Sequence, residues 1–150
     1  MLFSTLSISA TGLAAQRTRM DIHAQNLANV DTTRTAEGGP YRRRAVIFEE
    51  RTAGASGNTF ADVLRNRIMA GSGGGGVRVH SILEDPSDGP RVYDPGHPDA
   101  DAYGYVMRPN VNVIAEMVNM ISASRSYEAN MTAWSVTQSM MNRTLEISGR

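Results

Sequence analysis

The chain has 150 residues, of which 41% are hydrophobic, 20% charged and 6% aromatic; fifteen arginines balance fifteen acidic residues, and lysine and cysteine are absent. Without cysteine, a disulfide scaffold, a thiolate metal site and a thiol nucleophile are excluded. Zero net charge speaks against a dedicated nucleic-acid binder, which carries a basic face, and the apolar content suits a folded domain better than a disordered chain.

The start, Met1-Leu2-Phe3-Ser4-Thr5, has no basic region and no sustained apolar run. It predicts no cleaved secretory signal. No stretch approaches the ~20 apolar residues that span a bilayer, so direct membrane insertion is not expected.

Glycine and proline divide the chain into three zones. Residues 4–30 contain only Gly12, residues 31–108 hold most of the glycines and five of the six prolines, and residues 109–149 contain neither between their ends. Both residues punctuate turns and are costly inside helices. The expected fold is therefore α+β. Two long helices, 1–30 and 109–150, form an antiparallel or coiled-coil pair, and a small antiparallel β-domain, 31–108, lies between them.

In the first zone Phe3, Leu6, Ala10, Leu13, Arg17, Met20, Ala24 and Leu27 recur at alternating spacings of three and four. That is a heptad seam with one polar break, and Ser4 is a candidate N-cap. The middle zone predicts short strands at 41–51, 77–83, 91–93 and 103–107, separated by turn signals. Between the first two, residues 52–76 form an insert ending in a glycine run, expected to be flexible. Within it, residues 60–69 fit either a short amphipathic helix or a strand.

In the third zone Val113, Met117, Met120, Ser124, Tyr127, Met131, Trp134, Gln138, Met141 and Leu145 form a second heptad seam, widened by Ile114 and Ile121. Asn110 or Asn112 caps it, with Glu116 near the positive helix end. The helices carry few charges: Arg17, Arg19 and Asp21 on the first, and Glu116, Arg125, Glu128, Arg143 and Glu146 on the second. A solvent-facing helix usually displays many more. Charge depletion with methionine and tyrosine fits burial against other chains, although a simple helix hairpin with a quiet polar surface has the same pattern. Both hold if one seam pairs the helices and the remaining faces pack in an assembly.

Candidate chemistry is sparse. Asp94, His97, Asp99 and Asp101 crowd one short stretch with Pro95, Gly96 and Pro98. Their spacing does not match a calcium loop, and Asp, Pro and Gly are ordinary turn residues. A structural loop is expected, with no metal. Arg42-Arg43-Arg44 is a local basic run suited to protein contacts. His23, off the seam, is taken as solvated or at an interface. No nucleophile elbow, phosphate loop or zinc-protease motif occurs. No catalysis and no cofactor are expected.

Longer strings carry a resemblance. Asn26-Leu27-Ala28-Asn29-Val30, followed by Asp31-Thr32-Thr33, resembles the N-terminal signature of the bacterial flagellar axial proteins, the rod and hook family. The string from Val92 to Val106, with Asp94, Pro95, Gly96, Asp99, Asp101 and Gly104, resembles a middle motif of its short proximal-rod members. The segment from Pro109 and Asn110 to Asn130 resembles their C-terminal signature.

The resemblance implies a structural subunit of the proximal rod, the periplasmic shaft that transmits torque for motility. It implies export through the flagellar type III apparatus without signal cleavage, and self-association in a helical tube. The implied partners are other proximal and distal rod subunits and the base-to-rod junction protein. It also implies assembly through the terminal helices, for which the heptad seams offer Leu6, Ala10, Leu13, Met20, Leu27, Val113, Met117, Met120, Ile121, Tyr127, Met131, Trp134, Met141 and Leu145 as packing residues. Rival readings are a distal-rod or hook-type subunit and a cytoplasmic coiled-coil adaptor.

Overall fold

A computed structural model of the chain describes residues 2–51 and 75–148. Chain order is α1 (Leu2–Ala28), β1 (Arg44–Glu50), β2 (Val77–Glu84), β3 (Arg91–Tyr93), β4 (Tyr105–Met107) and α2 (Val113–Ser148). Helix α1 begins at Leu2, so Ser4 lies in its first turn and not at the cap. The expectations for residues 60–69 and for most of the glycine run fall outside the described residues.

Helix α2 starts where Asn112 makes it start. The Asn112 side-chain oxygen accepts the Ala115 N–H at 3.1 Å, and its carbonyl accepts the Glu116 N–H at 3.0 Å. This is N-cap geometry, which satisfies donors that have no partner inside the helix. At the other junction Asn29 closes α1. Its backbone N–H and side-chain amide both donate to the Gln25 carbonyl, at 3.1 and 2.9 Å. Those bonds use a carbonyl that the helix end would otherwise leave unpaired.

Among the described residues the strands form two separate two-stranded sheets, β1–β2 and β3–β4. The β1–β2 pair is antiparallel: Arg51 N–H donates to the Gly76 carbonyl at one end, and Asp85 N–H to the Arg43 carbonyl at the other. In the antiparallel β3–β4 pair Arg91, Val92 and Tyr93 face Met107, Val106 and Tyr105. The Tyr93 and Tyr105 rings meet edge-to-face with centroids 5.3 Å apart. The turn leading into β4 needs glycine at 104, where φ is +79° and a Cβ would sit 3.0 Å from the Tyr93 ring. Only glycine adopts that conformation without strain.

The chain forms two compact units. One comprises the described residues of Met1–Arg17, Phe48–His80 and Ser124–Arg150; the other comprises Thr18–Ile47 and Ser81–Ala123. In each, a stretch of α1 accompanies a stretch of α2, early with late and late with early, so the helices run antiparallel. In the first unit Gly12 meets the Asn130 side chain, and a Cβ at Gly12 would lie 3.1 Å from Asn130 Oδ1. In the second, His23 and Asn26 of α1 bond to Glu116 of α2.

The buried apolar residues among those described are Ala15, Ile22, Tyr41, Val106 and Ala123. Two of the five are alanines, so large apolar side chains are few among the described buried residues. The helical part of the core is small and polar, with Ala15, Ile22, His23 and Asn26 on α1 and Glu116 and Ala123 on α2.

Candidate functional site

Glu116 is the centre of a buried polar joint within the second unit. The side chain is fully enclosed, at 0% exposure. Its Oε2 receives His23 Nδ1 at 2.6 Å and Asn26 Nδ2 at 3.0 Å, and its Oε1 receives Arg43 Nε at 2.7 Å. Burial alone would raise the Glu116 pKa. The donors from Asn26, His23 and Arg43 outweigh it and hold the carboxyl below its ordinary value. A charge taken out of water is tolerated when paired and hydrogen-bonded, and Glu116 is both.

Asn26, also at 0% exposure, extends the joint to the strand. Its Oδ1 accepts the Tyr41 hydroxyl and the Arg44 N–H, both at 2.9 Å, and its Nδ2 donates to the Arg44 carbonyl at 2.8 Å. Tyr41 is buried, which raises its pKa, and the Arg44 guanidinium lies over its ring. Asn110 ties the same strand start to the approach of α2: its Oδ1 accepts the Arg43 N–H at 2.8 Å, and its Nδ2 donates to Ser87 Oγ at 3.1 Å. Asn26 and Asn110 were legible as motif positions. That Glu116, His23, Tyr41 and Arg43 meet them in one buried joint was not. His23 is neither solvated nor available to a partner, being only 6% exposed and bonded to Glu116. One signal was present: Glu116 is the only charged residue between Arg108 and Arg125.

The basic run is used within the chain. Arg42 donates to the Pro86 carbonyl, Arg43 to Glu116, and Arg44 to Glu84 at 2.8 Å. The Asp94–Tyr105 stretch is likewise built as a loop. Asp94 N–H donates to the Gly104 carbonyl, and the Asp94 carbonyl accepts the His97 N–H. His97 Nδ1 accepts the Asp99 N–H at 3.1 Å, and Asp99 Oδ2 receives the Thr33 hydroxyl at 2.8 Å. The Tyr105 N–H, together with that of Tyr103, holds the Asp101 carboxyl below its usual range. Pro95 packs against Gly104, and Gly96 lies near the Asp94 carboxylate. Among the described residues no group of three or more His, Asp or Glu could hold a metal ion.

The sequence seams divide between two environments. Leu6, Ala10, Leu13, Met20 and Leu27 on α1 are half-buried, as are Met120, Tyr127, Trp134 and Met141 on α2. Val113, Met117, Ile121, Met131 and Leu145 are exposed. Glu116, Met120, Ala123, Tyr127, Asn130, Trp134, Thr137 and Met141 share one helical face, and all are buried or half-buried. On the opposite face Ile114 (75% exposed), Met117, Val118 and Ile121 form an apolar stripe at i, i+3, i+4 and i+7. Among the described residues no helix is long and apolar enough to cross a membrane.

Two families match the two ends of the chain. The family described as "Flagella basal body rod protein" matches residues 6–34, and "Flagellar basal body rod FlgEFG protein C-terminal" matches residues 102–147. These segments cover most of α1 with its Asn26 and Asn29 junction, and α2 with the strand leading into it. The class so defined is the flagellar basal-body rod proteins, which are structural and not enzymatic. More particularly, the chain is 48% identical to the flagellar basal-body rod protein FlgC of Bacillus subtilis, over 97% of each chain. It is 48% identical to FlgC of Borreliella burgdorferi and 40% identical to FlgC of Salmonella typhimurium, again over 97% of each. The chain belongs to the FlgC family of rod proteins.

Proposed function

We propose that the chain is a proximal-rod subunit. It reaches the periplasm through the flagellar type III export apparatus. There it assembles in a helical tube with other proximal and distal rod subunits and the base-to-rod junction protein, and so transmits torque. In this reading residues 1–30 and 109–150 form the axial core, and residues 31–108 form the middle domain with an insert at 52–76.

The observation that carries it is the inversion of helix α2. Its inner face holds Glu116, Ala123 and Asn130, and its outer face holds Ile114, Met117, Val118 and Ile121. An exposed apolar stripe of this kind marks a protein contact. A heterologous contact that does not close on itself extends into a helical filament. The assembly residues Leu6, Ala10, Leu13, Met20, Leu27, Met120, Tyr127, Met131, Trp134, Met141 and Leu145 supply further contacts in this reading.

The test is fractionation. A tagged chain should co-purify with intact basal bodies and be lost from them when Ile121 and Val118 are both changed to glutamate. Recovery only in the cytoplasmic fraction would favour a coiled-coil adaptor instead.

A further inference from the structure

We propose that the Glu116 joint is a register key, a polar lock that selects one alignment of α1 against α2 in the second unit. The rest of that seam specifies alignment poorly. Ala123 is small, half-buried Met20 and Met120 adapt to irregular partners, and Ile22 is the one large buried apolar side chain described there, so a slip of one helical turn meets little steric resistance. Glu116 does resist it. It takes two donors from α1, His23 and Asn26, and one from the strand approach, Arg43. A one-turn slip, about 5.4 Å, would withdraw both α1 donors and leave a carboxylate enclosed without them. Buried polar groups serve this purpose in coiled coils, where one polar seam residue fixes register at a cost in stability. Here the lock also holds the strand start, because Asn26 grips Arg44 and Asn110 grips Arg43.

The native chain has no cysteine, so Ala28→Cys, at an exposed position, creates a single site for a nitroxide label. The amides on residues 113–123 whose NMR signals the label bleaches then report alignment directly. In the otherwise unaltered chain one bleached pattern is expected. In His23→Leu/Glu116→Met, which replaces both partners by apolar groups, helix content should persist. The bleached pattern should spread by three to four residues, one helical turn. Glu116→Gln covers the case in which the double variant fails to fold. Its single amide oxygen can accept from the α1 donors or from Arg43 but not from both, and no negative charge remains to hold either set, so the same spread is expected in milder form. An unchanged pattern in the double variant, or in Glu116→Gln if only that one folds, overturns the proposal: packing alone would then set the register.

Discussion

The Tyr41 hydroxyl donates a 2.9 Å hydrogen bond to Asn26 Oδ1, joining the segment before β1 to the last turns of α1 in a buried setting. Tyr41→Phe removes that bond and keeps the ring beneath Arg44. Asn26 Oδ1 retains the Arg44 N–H, so no acceptor is orphaned. The expected loss is about 1 kcal/mol, the usual net value of one hydrogen bond. Urea unfolding should show a lower midpoint with an unchanged slope.

Glu116→Ala is expected to be far more damaging than Tyr41→Phe. It strips the acceptor from His23, Asn26 and Arg43 at once. Breaking a buried pair by removing one partner costs about 3–5 kcal/mol. Thermal unfolding should show the loss directly, and His23→Leu in the same background should recover part of it.

Acid should weaken the fold through the same residue. The folded-state pKa of Glu116 lies below its ordinary value. Its contribution is therefore fully present above the unfolded-state pKa and disappears as pH falls through the folded one. Stability measured from neutral pH into the acid range should decline in that window. The decline should be shallower in Glu116→Gln, and parallel curves for the two chains would refute the assignment.

Gly12 sets how closely the helices approach in the first unit. Two effects oppose each other in Gly12→Ala. Alanine gains about 1 kcal/mol of helix propensity, but its Cβ would press on Asn130 at 3.1 Å. The net change should be small. Gly12→Val adds two methyl groups at the same place and should destabilise. Asn130→Ala should relieve Gly12→Val by more than it changes the native chain, which a double-mutant cycle would measure.

The outer stripe should behave in the opposite way. Val118 and Ile121 are exposed, and substitutions at such positions usually stay within about 0.5 kcal/mol. Val118→Glu/Ile121→Glu should leave the melting temperature of the isolated chain nearly unchanged and abolish swimming on soft agar. Normal motility would remove the stripe from the assembly interface.

The strands were readable because their signals are local. Val77–Glu84 is rich in β-branched residues, and Arg91–Tyr93 is bracketed by proline and glycine. The start of α2 was readable for the same reason, since Asn112 caps the very next turn. The buried line of the helix pair was not. Periodicity locates apolar residues and assigns them inward, which drew attention to Val113, Met117 and Met131. Glu116 can be buried only because His23, Asn26 and Arg43 reach it from at least seventy residues away in sequence, and no local pattern records such partners. The Asn26 and Asn29 motif was visible as a string. That one asparagine caps a helix while the other enters the joint depends on where the chain turns afterwards.

Asn26 meets both the N–H and the C=O of Arg44 with a single side chain. Its amide thus plays the part of one residue of a missing third strand, paired to the edge of β1 that faces away from β2. An open edge is a template for unwanted pairing, and here its first position is already occupied. Aspartate, though nearly the same shape, could not substitute. It would set an oxygen against the Arg44 carbonyl and a second negative group beside Glu116, turning a mock strand into a repulsive gap.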